Sequence, residues 1–72
     1  MSVEKFELAI RIRETRKRCG LKQTDVAKRL YCTNPCVSRW EHGRSEPNAT
    51  QIVGLCKLFG VSADYLLGIK ED

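Results

Sequence analysis

Residues Gly20 to Gly43 read GLKQTDVAKRLYCTNPCVSRWEHG. Gln23 to Leu30 places Val26, Ala27 and Leu30 on one side of a helix. A second helix starts near Thr33-Asn34-Pro35 and ends near His42-Gly43, with Val37 and Trp40 inward. A tight turn joins them, and polar residues occupy the faces left over. Helices this short do not hold alone, because nucleation is costly. The rest of the chain must therefore supply a platform.

Upstream, Val3 to Cys19 has the spacing of a longer helix. Phe6, Leu8, Ala9, Ile10 and Ile12 form a mostly one-sided apolar stripe, with Leu8 and Ile12 its expected core residues and Cys19 either core or half-exposed. Arg11, Arg13, Arg16, Lys17 and Arg18 fill the other faces. Gly20 suits a left-handed C-terminal cap. Downstream, Asn48 and Gln51 have capping-box spacing before a stripe of Ile52, Leu55, Cys56 and Phe59. Gly54 lies inside this helix at a cost of about 1 kcal/mol against Ala; a close packing contact is its expected role. Gly60 ends the helix. Ser62 caps a fifth, Ala63 to Leu67, with Asp64 in its first turn. Ile69 to Asp72 forms a short, frayed tail. The expected fold is all-α, a bundle of five short helices in one domain spanning residues 1–72.

The 72 residues bury only about 60% of their unfolded surface, which leaves little room for a buried active site. The net charge is +4. Residues 1–44 carry eleven Lys/Arg and five Asp/Glu, a net +6, whereas residues 45–72 carry two and four, a net −2. The excess positive charge therefore lies in the half that contains the paired short helices, the footprint expected for phosphate contact. No run is long and apolar enough to span a membrane, and the N-terminus lacks a signal-peptide pattern. These features predict a cytoplasmic protein with its four cysteines reduced.

The set Gly20-Leu21, Gln23, Val26-Ala27, Leu30, Val37-Ser38, Arg39-Trp40-Glu41, Gly43 and Pro47 continues through Leu55, Gly60-Val61-Ser62 and Leu66-Leu67-Gly68. In this order and spacing, over residues 6 to 68, the chain resembles the Cro/C1-type or XRE helix-turn-helix family of phage repressors and bacterial regulators. The resemblance implies a lambda-repressor-like fold, with the first motif helix across the DNA backbone and the second in the major groove. It also implies an ion pair between Arg16 and Glu41, and a phosphate contact from Gln23.

Several positions depart from the family pattern. Thr15 stands where a Leu is usual, which should weaken the core. Lys22 replaces a Ser cap, which leaves a weaker N-terminus. Tyr31 replaces the Gly of the turn, where the backbone takes positive φ. Alignment with the family puts the cap of the reading helix at Thr33. The chemistry of Pro35 favours Asn34 instead, because a residue before proline avoids helical geometry.

Base-reading candidates are Asn34, Pro35, Ser38 and Arg39. A free Asn34 amide can pair with adenine, Pro35 can meet a thymine methyl, and Arg39 matches guanine O6 and N7. Phosphate candidates are Gln23, Thr33, His42 and Arg44. One helix reads few base pairs, so a homodimer on a two-fold symmetric operator is expected. With helix 5 as the last element, Tyr65, Leu66, Leu67 and Ile69 are the dimerisation candidates.

Cys32 and Cys36 lack the tight C-x2-C spacing of a zinc site, and Cys56 reads as core. No cofactor or metal is expected. A single His, no glycine-rich phosphate loop and no paired carboxylates argue against catalysis. Two rival readings remain open: an antitoxin or protein-interaction module with a protein partner, and a redox-sensing regulator. The second requires Cys32 and Cys36 to be close and exposed.

Overall fold

Apolar spacing and caps build five helices: α1 (Ser2–Arg18), α2 (Gln23–Arg29), α3 (Asn34–Glu41), α4 (Ala49–Phe59) and α5 (Ala63–Leu66). The computed structural model describes residues 2–69, with side chains from residue 7 onward; the Phe6 side chain and residues 70–72 of the tail lie outside the described residues. No strand occurs among the described residues.

The caps follow from side-chain chemistry. Asn48 and Gln51 form a reciprocal box on α4, each backbone N–H donating to the other's side-chain oxygen at 2.8 Å. Ser62 Oγ accepts from the Tyr65 N–H at 3.1 Å at the start of α5. The α2 cap is half of such a box. The Lys22 N–H donates to Asp25 Oδ2 at 2.8 Å, but a lysine ammonium has no acceptor to return. Thr33 caps α3, with Oγ1 accepting from the Cys36 N–H at 3.3 Å. Asn34 is thus the first helical residue and Pro35 the second, where a missing N–H costs nothing. The capping hydroxyl outweighs the pre-proline preference, and the Asn34 side chain is left free of capping.

Leu8, Ile12, Val26, Ala27, Val37, Trp40, Leu55, Phe59 and Leu66 make one core, and Leu21, Leu30, Ile52, Cys56 and Val61 pack around it. Ile10 belongs to the α1 stripe but is exposed. Cys19, expected in the core or half-exposed, is also exposed. It sits past the last turn of α1, where helical spacing no longer sets direction, and its Sγ reaches only the Phe59 carbonyl, at 3.8 Å. Thr15 is fully buried, and among the described residues its hydroxyl makes no well-formed hydrogen bond, although the Tyr65 phenol stands close enough to be influenced by it. Gly54 performs its expected role: a Cβ there would overlap Leu30 Cδ2, so its absence lets α4 lie against the end of α2. The motif helices α2 and α3 are seated on the α1, α4 and α5 platform.

Candidate nucleic-acid interface

The position of α3 depends on a buried ionic network. Arg16 Nε donates to Glu41 Oε2 at 2.6 Å and Nη2 to Oε1 at 3.1 Å, a bidentate pair. Arg16 Nη1 donates to the Leu21 carbonyl at 2.9 Å. Gln23 Nε2 donates to Glu41 Oε1 at 3.0 Å. The Glu41 side chain is 2% exposed and that of Arg16 12%, so both charges are largely out of water; each guanidinium nitrogen donates one bond and each carboxylate oxygen accepts at least one. One carboxylate at the end of α3 thereby ties together α1, the connection after it and the first residue of α2. Gln23, expected at a phosphate, spends one amide N–H inside this network and keeps the other.

Val37 and Trp40 are buried beneath α3, which turns Asn34, Pro35 and Arg39 outward and leaves Ser38 half-buried. Pro35, Ser38, Arg39, His42 and Arg44 line one shallow depression. Three expected base readers and two expected phosphate contacts therefore share a face, with Thr33 and Asn34 at its leading end. The Arg44 N–H donates to the Arg39 carbonyl at 2.9 Å and the Gly43 N–H to the Trp40 carbonyl at 3.2 Å. This Schellman closure fixes where Arg44 leaves the helix.

His42 is more constrained than its sequence position implied. Its Nδ1 lies 2.8 Å from the Ser38 carbonyl and 3.4 Å from Ser38 Oγ. A carbonyl only accepts, so Nδ1 carries the proton and Nε2 faces outward. On the neutral ring Nε2 is an acceptor, suited to a base amino group; only the protonated ring can donate to a phosphate. The i, i+4 spacing of Ser38 and His42 was the signal in the sequence.

The dimerisation candidates divide. Leu66 is 0% exposed and belongs to the core, because the short α5 turns it inward; it cannot form an intermolecular surface. Tyr65 is held by its own chain. Its ring lies 4.7 Å from the Arg11 guanidinium and 6.0 Å from that of Arg18, and Arg18 Nη2 donates to its hydroxyl at 2.9 Å. That hydrogen bond holds the phenol below its ordinary range. Leu67 and Ile69 remain exposed, Ile69 at 69%.

Cys32 and Cys36 are neighbours, but both are half-buried against the core. Burial pushes the Cys32 thiol up, and Cys36 pushes it further. A thiol held neutral is a poor nucleophile, the opposite of what a redox sensor needs. Among the described residues, no group of three or more His, Cys, Asp or Glu is placed to hold a metal. No helix there is long and apolar enough to cross a membrane.

Two short helices joined by a tight turn, with the second presenting a polar and basic face, define a helix-turn-helix protein. The helix-turn-helix family profile matches residues 12–66, and the chain belongs to that family. Repressor protein C2 of Salmonella phage P22 is 37% identical over 57 residues, which is 79% of this chain and 26% of that protein. The transcriptional regulator ImmR of Bacillus subtilis is 34% identical over 66 residues, 92% of this chain and 52% of ImmR. The regulator DicA of Escherichia coli is 33% identical over all 72 residues, covering 53% of DicA. The chain thus spans about half or less of the length of these relatives. The fold also superimposes on the P22 c2 repressor in complex with a synthetic operator, with a TM-score of 0.78 and 34% identity over 82% of this chain and 89% of that one. It matches the solution structure of the same repressor's DNA-binding domain equally well, at 0.78 and 35% identity over 83% and 79%.

Proposed function

We propose that the chain binds double-stranded DNA sequence-specifically, as a cytoplasmic transcriptional regulator of repressor type, with α3 in the major groove. The observation that carries this reading is the single face on which Pro35, Ser38, Arg39, His42 and Arg44 meet, over helices anchored by a buried ionic network. The complex of the P22 c2 repressor with its synthetic operator supports it by likeness.

In this reading Arg39 pairs with guanine and Asn34, free of capping duty, pairs with adenine. Ser38 and Pro35 complete the base-reading set. Thr33, Arg44, the second Gln23 N–H and His42 set the register on phosphates, a division of labour general to such interfaces. Two copies bind a two-fold symmetric operator, and Leu67 and Ile69 contribute apolar surface to the contact between them.

Selection of bound sequences from random duplex DNA tests the reading. A palindromic motif is expected, with affinity falling steeply as salt rises. In Arg39→Ala the preference at one base pair relaxes, at a cost of about 1–3 kcal/mol. Arg44→Ala weakens all sequences alike and lowers the salt slope by about one. Recovery of no motif, with weak binding only, would remove the reading.

A further inference from the structure

Each of the five helices ends on a residue with left-handed backbone. Four of these are glycines, at φ between 71° and 81° for Gly20, Gly43, Gly60 and Gly68; the fifth is Tyr31, at φ 56°. The α2 cap is closed by two bonds: the Tyr31 N–H to the Lys28 carbonyl at 3.4 Å and the Cys32 N–H to the Ala27 carbonyl at 2.9 Å. The same pair of bonds closes α3 at Gly43 and Arg44. The geometry demands positive φ, and a side chain with a Cβ is strained there by about 1 kcal/mol or more.

Among the described residues, no contact offsets that strain. Tyr31 is 96% exposed, and its ring and hydroxyl engage no other described residue. What surrounds it suits a polyanion. Lys28 and Arg29, both exposed, precede it in the last turn of α2, and Thr33 and Asn34 follow. Three residues of chain span at most about 11 Å, so the Tyr31 backbone lies within that distance of Asn34, at the leading end of α3.

We propose that Tyr31 is a DNA-backbone contact. Its hydroxyl donates to a phosphate beside the bases met by the leading end of α3, and the strained cap is kept for that bond. This rests on the DNA-binding reading above and adds a contact that is indifferent to sequence.

Three full-chain variants test it on two probes: the duplex recovered by selection, and a mixed-sequence duplex of equal length. Y31G relieves the strain, Y31A removes the ring but keeps the strain, and Y31F removes only the hydroxyl. The melting temperature should rise in Y31G alone. Affinity for both duplexes should fall about tenfold in all three variants, the loss of one hydrogen bond to a charged group. The salt slope should stay unchanged, because a phenol releases no counterion.

Binding by Y31A and Y31F within about twofold of the parent overturns the proposal. So does a loss confined to Y31G, which would implicate cap rigidity. If selection yields no motif, yet binding to mixed-sequence duplex falls in all three variants, the sequence-specific reading fails and the backbone contact stands. If the parent binds neither duplex, both fail, and the exposed ring belongs to a protein contact.

Discussion

Thr15 carries the clearest residue-scale liability in the core. Its buried hydroxyl makes no well-formed hydrogen bond among the described residues, although it stands near the Tyr65 phenol, and an unsatisfied buried polar group costs about 1–3 kcal/mol. Thr15→Val keeps the shape and removes the polar atom. It should stabilise the domain by about 1 kcal/mol and raise the melting temperature by about 4–8 °C. An unchanged or lowered melting temperature would mean that the hydroxyl is hydrogen-bonded in solution. Arg16 and Glu41 are the reverse case, charges largely out of water and paired bidentately. Glu41→Ala strands the guanidinium and should cost about 3–5 kcal/mol, as should Arg16→Ala. The double variant should lose clearly less than the two losses combined, and urea denaturation of the four-member cycle reads the coupling. Additive losses would mean that the pair contributes no more than a surface bridge. The pair was expected through family likeness and is present. The part played by Gln23 was not expected, because its amide and the carboxylate are 18 residues apart in the chain and no local pattern links them.

At the scale of elements, the joint between α2 and α4 sets how the motif sits on its platform. Gly54→Ala should gain about 1 kcal/mol of helix propensity. The new methyl would overlap Leu30 Cδ2, and such overpacking costs about 1–3 kcal/mol. Net destabilisation is expected, with partial recovery when Leu30→Ala is added. A Gly54→Ala domain more stable than the parent would show that the Leu30 side chain turns aside at little cost. The helices themselves were readable from apolar spacing, because Val26, Ala27, Val37 and Trp40 must share one side to be buried. What could not be read was anything decided by a contest of local terms. Thr33 against Asn34 as the α3 cap turned on a hydroxyl bond outweighing a pre-proline preference. Cys19 leaves the α1 stripe because periodicity ends where the helix does. The inward turn of Leu66 is not legible because a helix as short as α5, four residues, offers too few positions to tell its inward side from its outward one.

For the molecule as a whole, alkaline stability is set by groups that pull in opposite directions. Burial raises the Cys56 thiol above its ordinary 9.0, and Cys32 is raised as well, by burial first and then by Cys36. A raised folded value means that the unfolded chain releases its proton first. Stability from these thiols is therefore complete below pH 9 and is lost as pH climbs through the folded values. Tyr65 is lowered from 10.0, chiefly by the Arg18 hydrogen bond. There the folded state releases its proton first, so stability grows as pH rises through the lowered value towards 10 and is lost as pH falls back through it. Cys56→Ala should flatten the decline of stability above pH 9. Tyr65→Phe keeps the ring between Arg11 and Arg18 but removes the ionising hydroxyl, and should steepen that decline. Urea midpoints at pH 8, 9 and 10 separate the two effects. Profiles for both variants parallel to the parent's would mean that neither group changes its ionisation on folding. The Tyr65 arm carries the larger structural consequence. The Arg18 bond spans 47 residues and joins α5 to α1, so a steeper profile in Tyr65→Phe reports directly on whether the last helix is clamped to the first. That clamp sits beside Leu66, which is in the core, and Leu67 and Ile69, which are exposed.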